Sequence, residues 1–183
     1  MIAQSLAATF LVSILWAVLG YSLSFTGEGI PLVYNGMEAC NMKRLEFFEK
    51  DPIDWSQSAA KDKGGCAYGA LLKDLIAFRK ANPALANGQW GARMNKVETD
   101  KPEQLFAWAR QKDGNKVVGF FNFTGAPVTA KLADGLAAGS YKEFGSGAAA
   151  QIKAGDSVTV PANGYRLLST TSAQSAPPIM ARD

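Results

Sequence analysis

The stretch LFAWARQKDGNKVVGFFNF, residues 105–123, decides how the chain is read. Two apolar runs, Leu105–Ala109 and Lys116–Phe123, flank Lys112-Asp113-Gly114-Asn115. Asp-Gly between two β-type runs is a hairpin signal, because both central residues of the favoured two-residue turn need positive φ. Downstream, shorter apolar runs recur at Val128–Leu132, Tyr141–Phe144, Ala149–Ile152, Ser157–Val160 and Gly164–Leu168, separated by turn residues. Short strands at this spacing predict an antiparallel β-sandwich over residues 91–168. The Ser/Thr/Ala/Pro-rich remainder, residues 169–183, reads as a disordered tail.

Upstream the period changes. Tyr68, Leu71, Leu72, Leu75 and Ile76 follow helical spacing, so residues 68–80 read as an amphipathic helix. Asn82-Pro83 ends it, and Arg79-Lys80 suit the dipole of its last turn. Before it, the run Ile30–Tyr34 lies between Gly27 and Gly29 on one side and Asn35-Gly36 on the other. It reads as one buried strand closing in a tight turn. Residues 37–67 read as loop. One strand and one helix cannot enclose a core, so this unit needs strands from elsewhere.

Residues 1–25, MIAQSLAATFLVSILWAVLGYSLSF, contain no charge. All 19 basic and 16 acidic residues lie from Glu28 onward. An apolar stretch of this length suffices to span a bilayer, and Trp16 and Tyr21 suit its interfaces. A signal peptide is disfavoured, since no basic residue follows the initial Met. A buried helix is the third reading.

Composition excludes several functions. The net charge of +3 is dispersed, which argues against nucleic acid. The chain has no histidine, so Ser-His and Cys-His nucleophile pairs are ruled out within it. No metal site is evident. Cys40 and Cys66 form one disulfide if the protein is exported and stay free thiols in the cytosol.

The segment GIPLVYNGMEACNMKRLEFFEKDPIDW resembles the last strand region of the catalytic barrel in glycoside hydrolase family 13, the α-amylase family. The family pattern Gly-x-Pro-x-x-Tyr-x-Gly-x-Glu stands here as Gly29, Pro31, Tyr34, Gly36 and Glu38. Met37 and Cys40 depart from the commoner Gln and Gly. LLKDLIAFRKANPALANG resembles the family's final barrel helix, and the β-rich residues 91–168 its C-terminal sandwich.

The resemblance implies an α+β organisation. Residues 1–25 are an apolar helix, residues 26–90 a strand–loop–helix remnant of a (β/α)₈ barrel, and residues 91–168 a β-sandwich. It also implies retaining hydrolysis of α-glucans by carboxylates at the ends of earlier barrel strands. Those strands precede the matched segment, so no catalytic residue is assigned and inactivity is expected of this chain alone. Glu38, Glu46, Glu49, Asp51 and Asp54 read as a solvated loop. Gly29, Pro31, Tyr34, Gly36 and Glu38 are expected either to support the sugar-facing surface or merely to shape a strand end. Trp55 and Trp90 are candidates for stacking on sugar rings, whereas core packing is the commoner fate of such residues, Trp108 included. Calcium is common in the family, but no ligand for it can be placed.

Residues 1–25 have a resemblance of their own. Trp16-x-x-x-Gly20-Tyr21-Ser22-Leu23-x-Phe25 is similar to a transmembrane helix of the ammonium transporter family. The two resemblances meet at Phe25–Gly29, which implies a join of unrelated segments and a membrane-associated, secreted or periplasmic location. Alternatives are a membrane-tethered, non-catalytic module that binds carbohydrate or a partner protein, and an ammonium transporter fragment. Without a barrel, residues 30–34 and 68–80 are expected to expose apolar surface, which residues 1–25 could cover by folding back.

Overall fold

A computed structural model describes residues 15–41, 43–56 and 68–171. It contains a helix α1 over residues 15–26 and a second helix, α2, Tyr68–Ala81. Eight strands come after them: β1 Asn95–Lys96, β2 Leu105–Lys112, β3 Asn115–Asn122, β4 Val128–Lys131, β5 Gly139–Glu143, β6 Ala149–Ile152, β7 Ser157–Val160 and β8 Gly164–Ser169. All pairings are antiparallel, in a six-stranded sheet ordered β1-β2-β3-β8-β5-β6 and a two-stranded sheet β4-β7.

The hairpin at residues 105–123 organises both layers. Asp113 (φ 48°) and Gly114 (φ 80°) both occupy the left-handed region, as the predicted two-residue turn requires. Its register sets Ala107 opposite Phe120 and Trp108 opposite Gly119. Ala107, Ala109, Val118, Phe120 and Leu168 then face the small sheet, where they pack with Val128, Ala130, Val158 and Val160. The strands of that sheet alternate buried and exposed, the mark of a layer with one wet face.

The hairpin itself is buried almost throughout, because its other face is covered as well. Trp108, Val117, Phe121 and Leu167 meet Leu72, Leu75, Phe78 and Leu85, together with Leu19 and Phe25 of α1. Trp108 lies across Gly119. A Cβ added to Gly119 would stand 2.5 Å from the indole carbons, so this position needs a glycine for space. The architecture is therefore an antiparallel β-sandwich with two helices packed on the outer face of its large sheet.

Polar ties join the helix layer to the sheet. The buried Asn82 donates to Phe78 O (2.8 Å), closing α2, and its Oδ1 accepts from Asn115 Nδ2 (2.8 Å) and from the Ser169 hydroxyl. Asn115 Oδ1 accepts from Ala84 N (3.0 Å). The Asn-Pro-Ala-Leu turn is thus fastened to both β3 and β8.

Several expectations change. Ile30–Tyr34 is not a strand: the segment is irregular, and Ile30 and Leu32 are 81% and 74% exposed. A strand exists only when neighbours take up its backbone hydrogen bonds, and among the described residues no strand pairs with this segment. On α2 the buried stripe runs Leu72, Leu75, Phe78, while Ile76 is exposed. The sheet sits over the Phe78 side of the helix, so tertiary packing selects that edge of the stripe.

Arg79 and Lys80 lie in the last turn of α2, as expected. The Arg79 guanidinium also reaches the Phe25 carbonyl of α1 and the Gly29 carbonyl beyond it. The expected tail begins later than residue 169, because Ser169 closes β8 and Thr170 N donates to Lys116 O (2.9 Å). Residues 172–183 lie outside the described residues. Among the described residues no helix is long and apolar enough to cross a membrane. Leu19 and Phe25 of α1 cover the sheet face, while residues 1–14 lie outside the described residues.

Candidate functional site

The candidate segment begins where α1 stops. Gly27 N closes the last turn on Leu23 O (2.7 Å), and Gly29 (φ 109°) turns the chain outward. Pro31 is half-buried, whereas Tyr34 is exposed. At Gly36 the chain turns again with φ 91°, a left-handed conformation that disfavours any side chain. Gly36 O accepts from Ala39 N (3.1 Å) and Asn41 N (3.0 Å), and a Cβ on Gly36 would approach Asn41 Cβ to 3.0 Å.

The 3-10 turn Met37–Ala39 comes next, and α2 packs close on it: a Cβ on Gly69 would sit 3.3 Å from Glu38 O. Glu38 itself is half-buried. Cys40 is disulfide-bonded, and Cys66, the other cysteine of the chain, lies outside the described residues.

The loop carboxylates are committed to local structure. Asp51 accepts from the Lys43 ammonium and from Glu46 N (3.1 Å), and the lysine bond, more than the backbone one, holds its carboxyl below the usual range. Asp54 accepts from Ser56 N (2.9 Å), and its bonds to Ser56 lower it in the same way. Both are ionised acceptors that shape a loop, and a general acid needs the opposite, a carboxyl kept protonated. Among the described residues, no group of three acidic or cysteine side chains gathers to hold a metal.

Exposed aromatic and apolar groups remain. Phe47 and Phe48, joined edge to face at 4.8 Å, are nearly fully exposed on this loop. Trp55 is half-exposed at its end, and Trp90 is 70% exposed on the turn Gly88–Trp90 before β1. Trp108, by contrast, belongs to the core.

Two arginines have contacts that the sequence reading did not assign. Arg110 lies on β2 on the same face as Trp108, is 1% exposed, and donates only to backbone carbonyls. Arg79 reaches from α2 to the same place. A period-2 count would have flagged Arg110, since it falls in register with inward-facing Trp108. Its partners, however, come from residues far off in sequence.

Comparison with known proteins gives the fold a family context. Residues 97–177 match the family model described as alpha amylase, C-terminal all-beta domain. No curated protein matches the sequence. Among solved structures, a noncanonic maltogenic alpha-amylase from Thermotoga neapolitana aligns with TM-score 0.65 at 15% identity, over 86% of this chain and 36% of its own. An alpha-amylase from Geobacillus thermoleovorans, complexed with acarbose, aligns at 0.60 and 17%, over 83% and 32%. AmyP, solved with maltose, aligns at 0.59 and 16%, over 87% and 36%. The sandwich is of the amylase C-terminal type. The chain spans about a third of the length of these structures, and the alignments extend beyond residues 97–177 into the helix layer.

Proposed function

We propose that this chain is the C-terminal part of an α-amylase-type glycoside hydrolase acting on α-glucans, and that alone it does not hydrolyse them. The observation that carries the reading is the match of residues 97–177 to the amylase C-terminal family model. The Gly29, Pro31, Tyr34, Gly36 and Glu38 pattern adds to it from outside the matched region. In this reading residues 26–90 are the C-terminal remnant of a (β/α)₈ barrel, a fold in which chemistry sits at strand ends. Gly29–Glu38 would then support the sugar-facing surface, with Trp55 and Trp90 as stacking groups. Maltose and acarbose, the ligands of two structural neighbours, suggest malto-oligosaccharides as the ligand class.

The loop chemistry supports inactivity. Asp51 and Asp54 are hydrogen-bonded acceptors that shape their own loop, and neither is held as the protonated acid that retaining hydrolysis needs. A bonded Cys40 favours an oxidising compartment, hence a secreted or periplasmic location. The test is reducing-sugar release from soluble starch by the purified chain. None above a boiled control is expected, and clear release would overturn the inactive reading.

A second reading, a non-catalytic glucan-binding module, draws on the exposure of Trp55 and Trp90. Saturable starch retention without hydrolysis, lost on Trp90→Ala, would favour it. A membrane tether through residues 1–25 has less behind it, since α1 places Leu19 and Phe25 on the sheet. The proposed join near Phe25–Gly29 is tested by amplifying source DNA across codons 15–35. A contiguous product establishes the junction, and its failure to appear marks it as an artefact.

A further inference from the structure

We infer that Arg79 and Arg110 are positioning residues. Together they grip the backbone of residues 25–29 and so set where the Gly29–Glu38 segment leaves the β-domain. The inference uses the proposed function in one respect only, that this reading makes Gly29–Glu38 sugar-facing.

The carbonyls at the end of a helix have no partners within it. Those of α1 are met by guanidinium groups from two other elements. Arg79 Nη1 donates to Phe25 O (2.7 Å) and Arg79 Nη2 to Gly29 O (2.7 Å). Arg110 Nη1 donates to Thr26 O (3.1 Å) and Gly27 O (2.6 Å). Four of the five carbonyls from Phe25 to Gly29 are therefore held.

The same two side chains also hold the linker between α2 and β1. Arg110 Nε donates to Ala92 O (2.8 Å) and its Nη2 to Ala86 O (2.8 Å), while Arg79 bonds Asn87 Oδ1. The socket is tight. A Cβ on Gly91 would fall 1.8 Å from Ala86 O and 3.1 Å from Arg110 Nη2, so only glycine closes the linker around the guanidinium.

All of these partners are neutral oxygens. A buried charge is costly unless its donors are satisfied, and the helix C-terminus adds favourable partial negative charge. Glu28 adds a further tie, accepting from Met94 N just before β1.

Beyond this grip, Tyr34 O accepts from Met37 N (3.1 Å). The next anchors after Gly29 are the Gly36 turn and the bonded Cys40. The N-terminal side of the candidate segment thus takes its position from Arg79 on α2 and from Arg110 on the sandwich itself. The β-domain becomes a template for that segment rather than a passive appendage.

Peptide-resolved hydrogen exchange on the whole chain tests this, with Arg79→Met, Arg110→Met and Arg110→Lys beside the wild type. Amides of residues 22–27 and 86–94 should exchange about tenfold or more faster in both Met variants, the scale of one lost charge-assisted hydrogen bond. β4 and β7 should keep wild-type rates. Arg110→Lys, which retains charge but offers donors from a single point, should recover only part of the protection. Unchanged exchange in residues 22–27, or equal acceleration in every strand, would overturn the inference. If Arg110→Met fails to fold, the half-buried Arg79→Met variant decides alone. Starch plays no part in this experiment, so its failure and that of the proposed function are separate outcomes.

Discussion

Two apolar runs of equal length, Ile30–Tyr34 and Val117–Phe121, meet opposite fates. The second is a fully buried central strand, paired on one side with β2 and on the other with β8. The first is irregular and largely open to solvent, though it too is rich in β-branched and aromatic residues. Strand propensity measures fit to a pleated, half-buried surface. Val117–Phe121 has such a surface on both faces, whereas Ile30–Tyr34 pairs with no strand among the described residues. A β-type sequence is therefore conditional on partners, and here the partners lie in the sandwich.

The sharpest way to break this contrast is at Trp108. Trp108→Ala should destabilise the fold by about 4 kcal/mol, the usual cost of truncating a fully buried aromatic, read by urea unfolding. A loss well below about 1 kcal/mol would mean that the helix-covered face of β2 and β3 is not a core. Next comes the tie between the layers. Asn115→Ala should cost about 2 kcal/mol, because the buried Ala84 N–H loses its acceptor and the Asn82 amide oxygen keeps only the Ser169 hydroxyl. If the change proves neutral, the Asn-Pro-Ala-Leu turn does not depend on β3.

Tyr141 gives a smaller effect with a pH signature. It donates to Ala137 O (2.8 Å), and burial pushes its hydroxyl up to about 12. Above about pH 10 the unfolded chain releases this proton while the folded one keeps it. The contribution is therefore complete below about pH 10 and lost as the pH rises toward about 12. Tyr141→Phe should cost about 1 kcal/mol at neutral pH and flatten that alkaline decline. An unchanged decline in the variant would assign it to other groups.

The smallest effect belongs to the other run. Leu32→Lys should shift stability by less than about 0.5 kcal/mol and reduce aggregation at high concentration. A loss above about 2 kcal/mol would show that residues 30–34 are packed in solution, and the contrast would fall.

Legibility in the sequence depended on how local the determinant was. The hairpin was readable because Asp113-Gly114 and its flanking runs carry both turn and pairing within one short stretch. Ala149–Ile152 and Ser157–Val160 were readable to the residue for the same reason. The stripe of α2 was readable, but not which edge faces the sheet, since Ile76 and Phe78 are equally apolar and only the sheet's position separates them. In the candidate segment, Gly36 announces its left-handed turn, whereas the Arg79 and Arg110 grip joins residues 50 to 84 positions apart.

By itself, the sequence determined the antiparallel sandwich, the helix ending at Asn82-Pro83 and the lack of histidine chemistry, because each rests on residue type, local spacing or composition. Only the tertiary structure decided that α1 lies on the sheet, that Ile30–Tyr34 stays unpaired, and that two arginines hold the chain between them. Burial and hydrogen bonding are settled by what stands opposite a residue, and for these segments the opposite side is distant in the chain.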